Sequence, residues 1–528
     1  MIGSELLVAQ LAAEGVDVVF GIPGIHLMHV LDALHRDGSI RFITTRHEQA
    51  TTYMADGYAR VTGRPGVALV VPGPGVYNAA SGLATAWACS SPVFLVAGQI
   101  ESHGLGRGLG LTHEIHDQLE VVRPITKSAE RIDDPSDLAA AVRRAFAVMT
   151  DGRTRPVEIE VAPDVFAAAA TGAVLDPLAP VVHEPDGDLV DRAADLLAGS
   201  SAPLLVGGAG VVIADASDAF TRLAETIQAA VVTTREGKGA IDERGPMYLG
   251  SIWMNRRLRP TLATADVVVA VGTRCQGLPL EPGQRLVHID VDPTEFGKHA
   301  SPDIAIAGDA RRTLEALLEA LDGRIGERPS RVAEIATAKA ELDAQLAAVG
   351  PQSGMVAALR AGIPDDGVLV TGTTTVGYMC HLSYPVYAPR TYMTSSYMGT
   401  LGYCFPTALG AKVGRPDLPV VSINGDGGFL FCASELATAV QYGINVVTVV
   451  FNDSAYGNTN RDQVENFGGR IIGTELVNPD FVKFAESFGA VGVRVDTNDG
   501  LRSAIADGVK DDRPVVIEMP MGRLPSPF

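Results

Sequence analysis

The sequence predicts an α/β protein built of three doubly wound parallel-sheet domains, and three observations carry that expectation. The stretch Val420 to Gly457 holds a β-branched apolar run, a glycine-rich corner at Gly425-Asp426-Gly427-Gly428, a helical segment near Ala433–Gln441 and a second apolar run ending at Asn452-Asp453. Strand, tight turn, helix, strand is a right-handed βαβ unit. The same alternation recurs upstream, with strand-like runs at Val18–Phe20, Val67–Val71, Val93–Val96 and Val157–Val161, then at Pro203–Val206, Ala230–Thr233, Val267–Val271 and Leu286–Val291. Finally, 528 residues with 46% hydrophobic content and 57 glycines suit roughly three to four packed α/β units and not a disordered chain.

The charge balance narrows the function classes. Forty-two basic residues against 62 acidic ones give a net charge of −20, with no basic cluster or stripe, which argues against nucleic-acid binding. Five cysteines (Cys89, Cys275, Cys380, Cys404, Cys432) are scattered without a CxxC pair. They point to a reducing cytoplasm and away from a disulfide framework or zinc site. The N-terminal MIGSELLVAQLAAEGVDVVFG lacks a basic start and reads as an amphipathic helix and a strand, not a signal peptide. No apolar run reaches membrane-spanning length.

The first domain is expected over 1–172, with helices such as Ala50–Arg60 and Ala79–Ala88 between its strands. Three corners stand out: Phe20-Gly21-Ile22-Pro23-Gly24-Ile25-His26; Arg46-His47-Glu48-Gln49, opening the helix that carries Ala55-Asp56-Gly57-Tyr58-Ala59-Arg60; and Gly73-Pro74-Gly75 with Asn78. Each has a plain structural reading. Glu48 in a first helical turn complements the helix dipole, His26 fits a core or cap position, and Gly-Pro-Gly makes a turn. Gly98 to Lys127 is rich in Gly and His with little periodicity, so it reads as a long loop, a kind of segment that tends to be functional. Its His103, His113 and His116 admit two bland or competing readings, solvated loop residues or a metal cluster.

The Pro-rich Asp176–Asp188 reads as a linker into a second domain over 183–325. There Gly207-Gly208-Ala209-Gly210 follows a strand as in a nucleotide-binding corner, without the full G-x-G-x-x-G spacing. Asp290 and Asp292 end a strand, and residues 327–350 read as a helical connector. The third domain, 345–528, runs from Val368–Val370 and Thr371-Gly372-Thr373-Thr374-Thr375 to GRLPSPF, where no long lid is expected.

In this third domain the βαβ unit puts both polar corners at the carboxyl ends of neighbouring parallel strands, where open α/β sheets bind ligands. Glycines 425, 427 and 428 let backbone N–H groups approach a phosphate at a helix start. A carboxylate inside such a corner suggests a metal bridge, and Mg²⁺ takes one or two carboxylates plus phosphate oxygens. Asp426 and Asp453 stand 27 positions apart with one crossover between them.

Gly-Asp-Gly followed at that distance by Asn-Asp resembles the motif of the thiamine-diphosphate-dependent enzymes, which include acetolactate synthase, benzoylformate decarboxylase and benzaldehyde lyase. Arg-His-Glu, Ala-Asp-Gly-Tyr-Ala-Arg and Gly-Pro-Gly with Asn78 resemble the same family's pyrimidine-binding domain, so the likeness spans essentially the whole chain. It implies thiamine diphosphate and Mg²⁺, the metal held by Asp426, Asp453 and the carbonyl of Ala455. Many members have Asn where this chain has Asp453. Pro23, Gly24 and Asn78 would line the aminopyrimidine pocket. Glu48 would activate the cofactor, by hydrogen-bonding the ring nitrogen and favouring the imino tautomer, whose 4′-nitrogen removes the C2 proton; such a carboxyl is expected in an apolar pocket. Thr374, Thr375, Gly425, Gly427, Gly428 and Tyr456 would face the diphosphate. Gly399 and Leu401 fall in the segment that wedges under thiamine.

The same resemblance implies a substrate pocket lined by the Gly98–Lys127 loop. His26 matches a pocket histidine of benzaldehyde lyase, His113 falls where that enzyme has glutamine, and Gln99 matches a pocket glutamine of acetolactate synthase. Val71 and Leu278 stand roughly where benzoylformate decarboxylase has its histidines. The expected activity is a C–C lyase or carboligase acting on 2-oxo acids, aldehydes or 2-hydroxy ketones. Acetolactate synthase or 2-oxo acid decarboxylase activity is the close alternative, and a flavin-dependent oxidase of pyruvate type a more distant one. The middle domain holds FAD in some members and an ADP-containing molecule in others; FAD is possible here but not favoured. A homodimer or homotetramer with sites at the dimer interface is implied.

Overall fold

The computed structural model describes residues 1–528 and contains three six-stranded, all-parallel sheets. The first is formed by β1 (Val18–Gly21), β2 (Arg41–Thr44), β3 (Gly66–Val70), β4 (Val93–Gly98), β5 (Ala129–Ile132) and β6 (Val157–Val161), in the order β2-β1-β3-β4-β6-β5. The second holds β7 (Pro203–Gly207), β8 (Ala230–Thr233), β9 (Tyr248–Ser251), β10 (Val267–Val271), β11 (Arg285–Asp290) and β12 (Ile304–Ala307), ordered β12-β11-β10-β7-β8-β9. The third has β13 (Val368–Thr371), β14 (Tyr392–Met393), β15 (Val420–Gly425), β16 (Val447–Asn452), β17 (Val491–Arg494) and β18 (Val515–Pro520), ordered β14-β13-β15-β16-β18-β17. The first and third sheets therefore share one topology. Every inner strand is a Val-, Ile- or Leu-rich run buried on both faces, which is what helices on both sides of a parallel sheet require.

Strand order reverses between β1 and β3, between β7 and β10, and between β13 and β15, and such reversals open the crevices where α/β sheets bind ligands. Two of these crevices fall at the corners the sequence singles out. At the third, between β7 and β10, the amide of Gly208 donates to Val271 O at 2.9 Å and that of Gly210 to Gly272 O at 3.0 Å. These two amides are spent on joining the loops and are not free to cradle a phosphate.

Element bounds depart from the sequence reading where strands are short or half-exposed. The edge strands β2, β5, β9, β12, β14 and β17 carry weak apolar patterns and are not anticipated by them; β18 is also additional. The helix expected at Ala433–Gln441 is split into a 3₁₀ turn at Ala433–Glu435 and a helix at Leu436–Tyr442, and an additional short helix, Asp426–Leu430, starts directly at the acidic corner. The expected connector forms a helix at Val332–Ala347 whose Leu342 and Leu346 enter the core shared by the second and third domains.

The first and third domains are fused by another core. The helix Glu48–Thr62 crosses the helix Cys404–Gly414 so closely that a Cβ on Gly57 would lie 1.9 Å from the carbonyl oxygen of Thr407. A Cβ on Gly410 would lie 1.9 Å from that of Met54. Beside the crossing, Arg60 donates to Thr394 O at 2.8 Å and pairs with the buried Asp56 at 3.5 Å. The Ala-Asp-Gly-Tyr-Ala-Arg stretch thus serves domain packing. No helix is long and apolar enough to cross a membrane.

Candidate active site

At the end of β15 the chain turns straight into a helix, and Asp426 occupies its first position with 1% of its surface exposed. Asn478 Nδ2 donates to Asp426 Oδ2 at 2.5 Å and to Asn452 Oδ1 at 3.0 Å. Asp453 follows β16, and the amide of Ala455 donates to its Oδ1 at 3.2 Å. Burial, and then the charge of Asp426, push the Asp453 carboxyl up to about 6. Burial also raises Asp426, against the hydrogen bond from Asn478. A buried carboxylate beside a half-buried one whose ionisation it opposes is a natural seat for a cation.

Other features of this corner fit the same conclusion. Asn478 Oδ1 is buried with no hydrogen-bond partner. A Cβ on Gly427 would sit 2.6 Å from the ring of Tyr456, and one on Gly457 2.1 Å from Asp453 Oδ2, so both glycines keep the corner open. The donors are all hard oxygens, as Mg²⁺ requires. Ala455 bridges Glu475 beside them. Across the crevice, Thr374 and Thr375 open the helix Thr375–Ser383, both buried, and neither hydroxyl caps it. Gly399 takes a positive φ of 60° in the loop that brings Leu401 over Gly428.

The first domain contributes the second half. His47 caps the helix that begins at Glu48, its Nδ1 accepting from Gln49 N at 3.2 Å. Asn78, one turn into the helix that follows β3, donates to Glu48 Oε2 at 2.9 Å. Glu48 is half-buried in the single chain, with this amide beside it. Pro23 and Gly24 lie after β1 and lead into the 3₁₀ turn that holds His26.

The imidazoles of His26 and His113 stack with centroids 5.1 Å apart and planes at 28°. His113 takes a φ of +69°, and the Nδ1 atoms of both rings are buried without partners. Burial first, and then His113, hold His26 below the ordinary histidine range. Gln99 lies after β4, buried, with its Oε1 accepting from Ile100 N at 2.7 Å. His103 does not join the pair; it lies on the surface 3.2 Å from Glu101. No three His, Cys, Asp or Glu side chains converge on a common point, so the loop histidines do not form a metal cluster.

Three contributors have no clear signal in the sequence. Gln118 accepts from Gly73 N at 3.0 Å and donates to Gly98 O at 2.9 Å and Glu160 Oε2 at 3.1 Å, pinning the histidine loop to two strand ends. Asn478 orients Asp426. Glu435, from the third domain, accepts from the amides of Arg46 and His47. The only hint is the turn-forming Asn-Pro-Asp at 478–480.

Comparison with known proteins decides what this pair of corners belongs to. Residues 1–121 match the family model of the thiamine pyrophosphate enzyme N-terminal TPP binding domain, 190–317 that of the central domain, and 371–519 that of the C-terminal TPP binding domain. The chain belongs to the thiamine-diphosphate enzyme family. It is similar to a probable 2-ketoarginine decarboxylase of Pseudomonas aeruginosa, with 34% identity over 98% of this chain and 93% of the relative. It is equally similar to a probable acetolactate synthase large subunit of Methanocaldococcus jannaschii, with 34% identity over 98% of this chain and 92% of the relative. The acetolactate synthase isozyme 3 large subunit of Escherichia coli is 30% identical over 97% and 92%. The protein is thus a thiamine-diphosphate-dependent enzyme, a carboligase or decarboxylase, with three parallel α/β domains.

Proposed function

We propose that this thiamine-diphosphate enzyme is a C–C lyase or carboligase acting on a 2-oxo acid, an aldehyde or a 2-hydroxy ketone. The observation that carries the reading is the stack of the buried His26 on the half-buried His113 at the carboxyl edge of the first sheet, beside the Glu48–Asn78 corner. When bound, thiamine diphosphate supplies an acidic carbon that adds to carbonyls and an electron sink for breaking the adjacent C–C bond. Asp426, Asp453 and the carbonyl of Ala455 would hold Mg²⁺ against the diphosphate. Thr374, Thr375, Gly425, Gly427, Gly428 and Tyr456 would contact the diphosphate, while Pro23, Gly24 and Asn78 would line the aminopyrimidine. Gly399 and Leu401 would support the thiazolium side. Glu48 would hold a proton at the aminopyrimidine nitrogen.

His26 works on the substrate. Held neutral near pH 7, it takes a proton from the hydroxyl of a 2-hydroxy ketone in cleavage, and its protonated form returns one in ligation. His113 shapes the pocket and tunes His26, and Gln99, after β4, would add a polar group to it. The relatives named acetolactate synthase and 2-ketoarginine decarboxylase support a 2-oxo acid as donor.

A second copy would complete the site. Exposed apolar side chains ring both corners: Ile25, Met28 and Tyr77 around the first, Phe431, Ile472 and Val477 around the second. Apolar patches of this kind mark interfaces, and a two-fold dimer would bring one copy's first corner to the other's second. The test is a screen of 2-oxo acids, aldehydes and 2-hydroxy ketones with wild type and His26→Ala. Ketol formation or cleavage that collapses in the variant supports the reading. Simple decarboxylation unaffected by His26 would sink it in favour of a decarboxylase.

A further inference from the structure

We propose that Glu435 is the positioning residue for Glu48: from the third domain, its carboxylate holds the backbone amides that fix where the Glu48 helix begins. The inference rests on the role proposed above for Glu48.

The first turn of a helix and the residues before it present amides with no intrahelical acceptor. Here they are met from another domain. Arg46 N donates to Glu435 Oε1 at 2.9 Å and Oε2 at 3.2 Å, and His47 N donates to Oε1 at 3.1 Å. Glu435 is fully buried, and Thr438 Oγ1 fixes its other oxygen at 2.6 Å. Hydrogen bonds to an ionised acceptor are shorter and roughly twice as strong as neutral ones.

The rest of the loop hangs on the same segment. Thr44 N donates to the Tyr442 hydroxyl at 3.0 Å, Thr438 Oγ1 lies 3.3 Å from Thr44 O, and Arg46 Nη2 donates to Gln441 Oε1 at 2.7 Å. On the far side of Glu48, Gln49 Nε2 donates to Phe431 O at 3.1 Å. The loop from Thr44 to Gln49 is thus suspended on residues 431–442, and that strap continues directly from the Asp426–Leu430 helix of the acidic corner. One stretch of chain therefore ties the corner that would hold the diphosphate metal to the loop that carries the activating carboxyl.

The experiment uses the full-length protein and the variants Glu435→Gln, Glu435→Ala, Glu48→Gln and Glu48→Gln/Glu435→Gln. Three quantities are measured: amide hydrogen exchange of residues 44–49 in the cofactor-free protein, thiamine diphosphate affinity, and C2 hydrogen–deuterium exchange of the bound cofactor. Glu435→Gln keeps the shape and one accepting oxygen. It should speed amide exchange at Arg46 and His47, leave cofactor affinity essentially unchanged, and slow C2 exchange by about 10- to 100-fold, the scale of a misplaced catalytic group. Glu435→Ala should do more; if it fails to fold, Glu435→Gln carries the test. In the Glu48→Gln background the second substitution should add nothing, because Glu435 acts through Glu48. Multiplicative effects, or unchanged C2 exchange in Glu435→Gln, overturn the proposal while leaving the role of Glu48 standing. Unchanged C2 exchange in Glu48→Gln overturns both.

Discussion

His26 and His113 face each other as stacked imidazoles, 5.1 Å between centroids, although 87 positions separate them in the chain (26 to 113). The stack has an electrostatic consequence. Burial and the neighbouring ring both disfavour the charged form of His26, so it stays neutral at pH values where an exposed histidine begins to protonate. Its base form is therefore available across the neutral range. The acid limb of kcat/KM should lie below the ordinary histidine value of about 6.5. His113→Ala removes one depressing charge and opens the pocket, so the limb should move to higher pH. His26→Ala should lower turnover by roughly 10- to 10⁴-fold with cofactor affinity little changed. Steady-state profiles between pH 5 and pH 9 on the best substrate check both; a limb that ignores His113→Ala removes the coupling.

The acidic corner makes a second prediction. Asp426 and Asp453 oppose each other's charge in the metal-free protein, and a divalent cation relieves that opposition. Asp426→Ala should abolish retention of thiamine diphosphate and leave the fold intact, since the site lies at a strand end and not in a core. Dialysis against EDTA should release cofactor, and Mg²⁺ should restore its binding. Calorimetric titration of the variant is decisive: wild-type affinity would exclude Asp426 as a ligand.

How much of this was legible in the sequence depends on the kind of residue. Asp426 and Asp453 are readable because a parallel βαβ unit forces both to adjacent strand ends, whatever the rest of the chain does. Glu48, His26 and Asn78 are marked by the resemblance of their short motifs and not by pattern alone: the strand before Glu48 is too weakly apolar to be anticipated, and Asn78 lies one turn inside a helix. Residues that act through others are not readable. Gln118 and Asn478 are lone amides in irregular segments, and no periodicity marks which amide will fold back onto a strand end. Glu435 looks like an ordinary helix glutamate until the third domain is set against the first. Gly57 reads as one helix glycine among 57 glycines, and only the crossing with Gly410 shows what it is for.

Glu48 itself gives the third prediction. Glu48→Gln keeps a hydrogen bond to Asn78 and loses the titrating proton. C2 exchange of bound cofactor should slow by about 10²- to 10⁴-fold. Affinity for thiamine diphosphate should change far less, because on the proposed assignment the other corner would hold the diphosphate and metal. Nuclear magnetic resonance of quenched samples reads the exchange directly, and an unchanged rate would remove Glu48 from the activation step.

The last prediction concerns the joint between the domains. At Gly57 and Gly410 an added methyl meets backbone carbonyl oxygens at 1.9 Å, not the yielding end of a side chain. Neither helix can relieve the clash by rotating a neighbour; the helices must move apart, and the buried Met54, Tyr53, Phe405 and Ala408 around the crossing lose contact as they do. Gly57→Ala and Gly410→Ala should each therefore destabilise the protein by about 1–3 kcal/mol or more, the usual range for overpacking. Both changes open the same gap, so the double variant should cost less than the sum of the two. Gly187 is the control: it begins a helix with open space around it, and there Ala should be neutral or stabilising by up to about 1 kcal/mol. Urea midpoints of the four variants beside wild type make the comparison. If Gly57→Ala unfolds with the Gly187→Ala control, the crossing is looser than the structure shows, and the Glu48 helix is not held from the third domain by this contact.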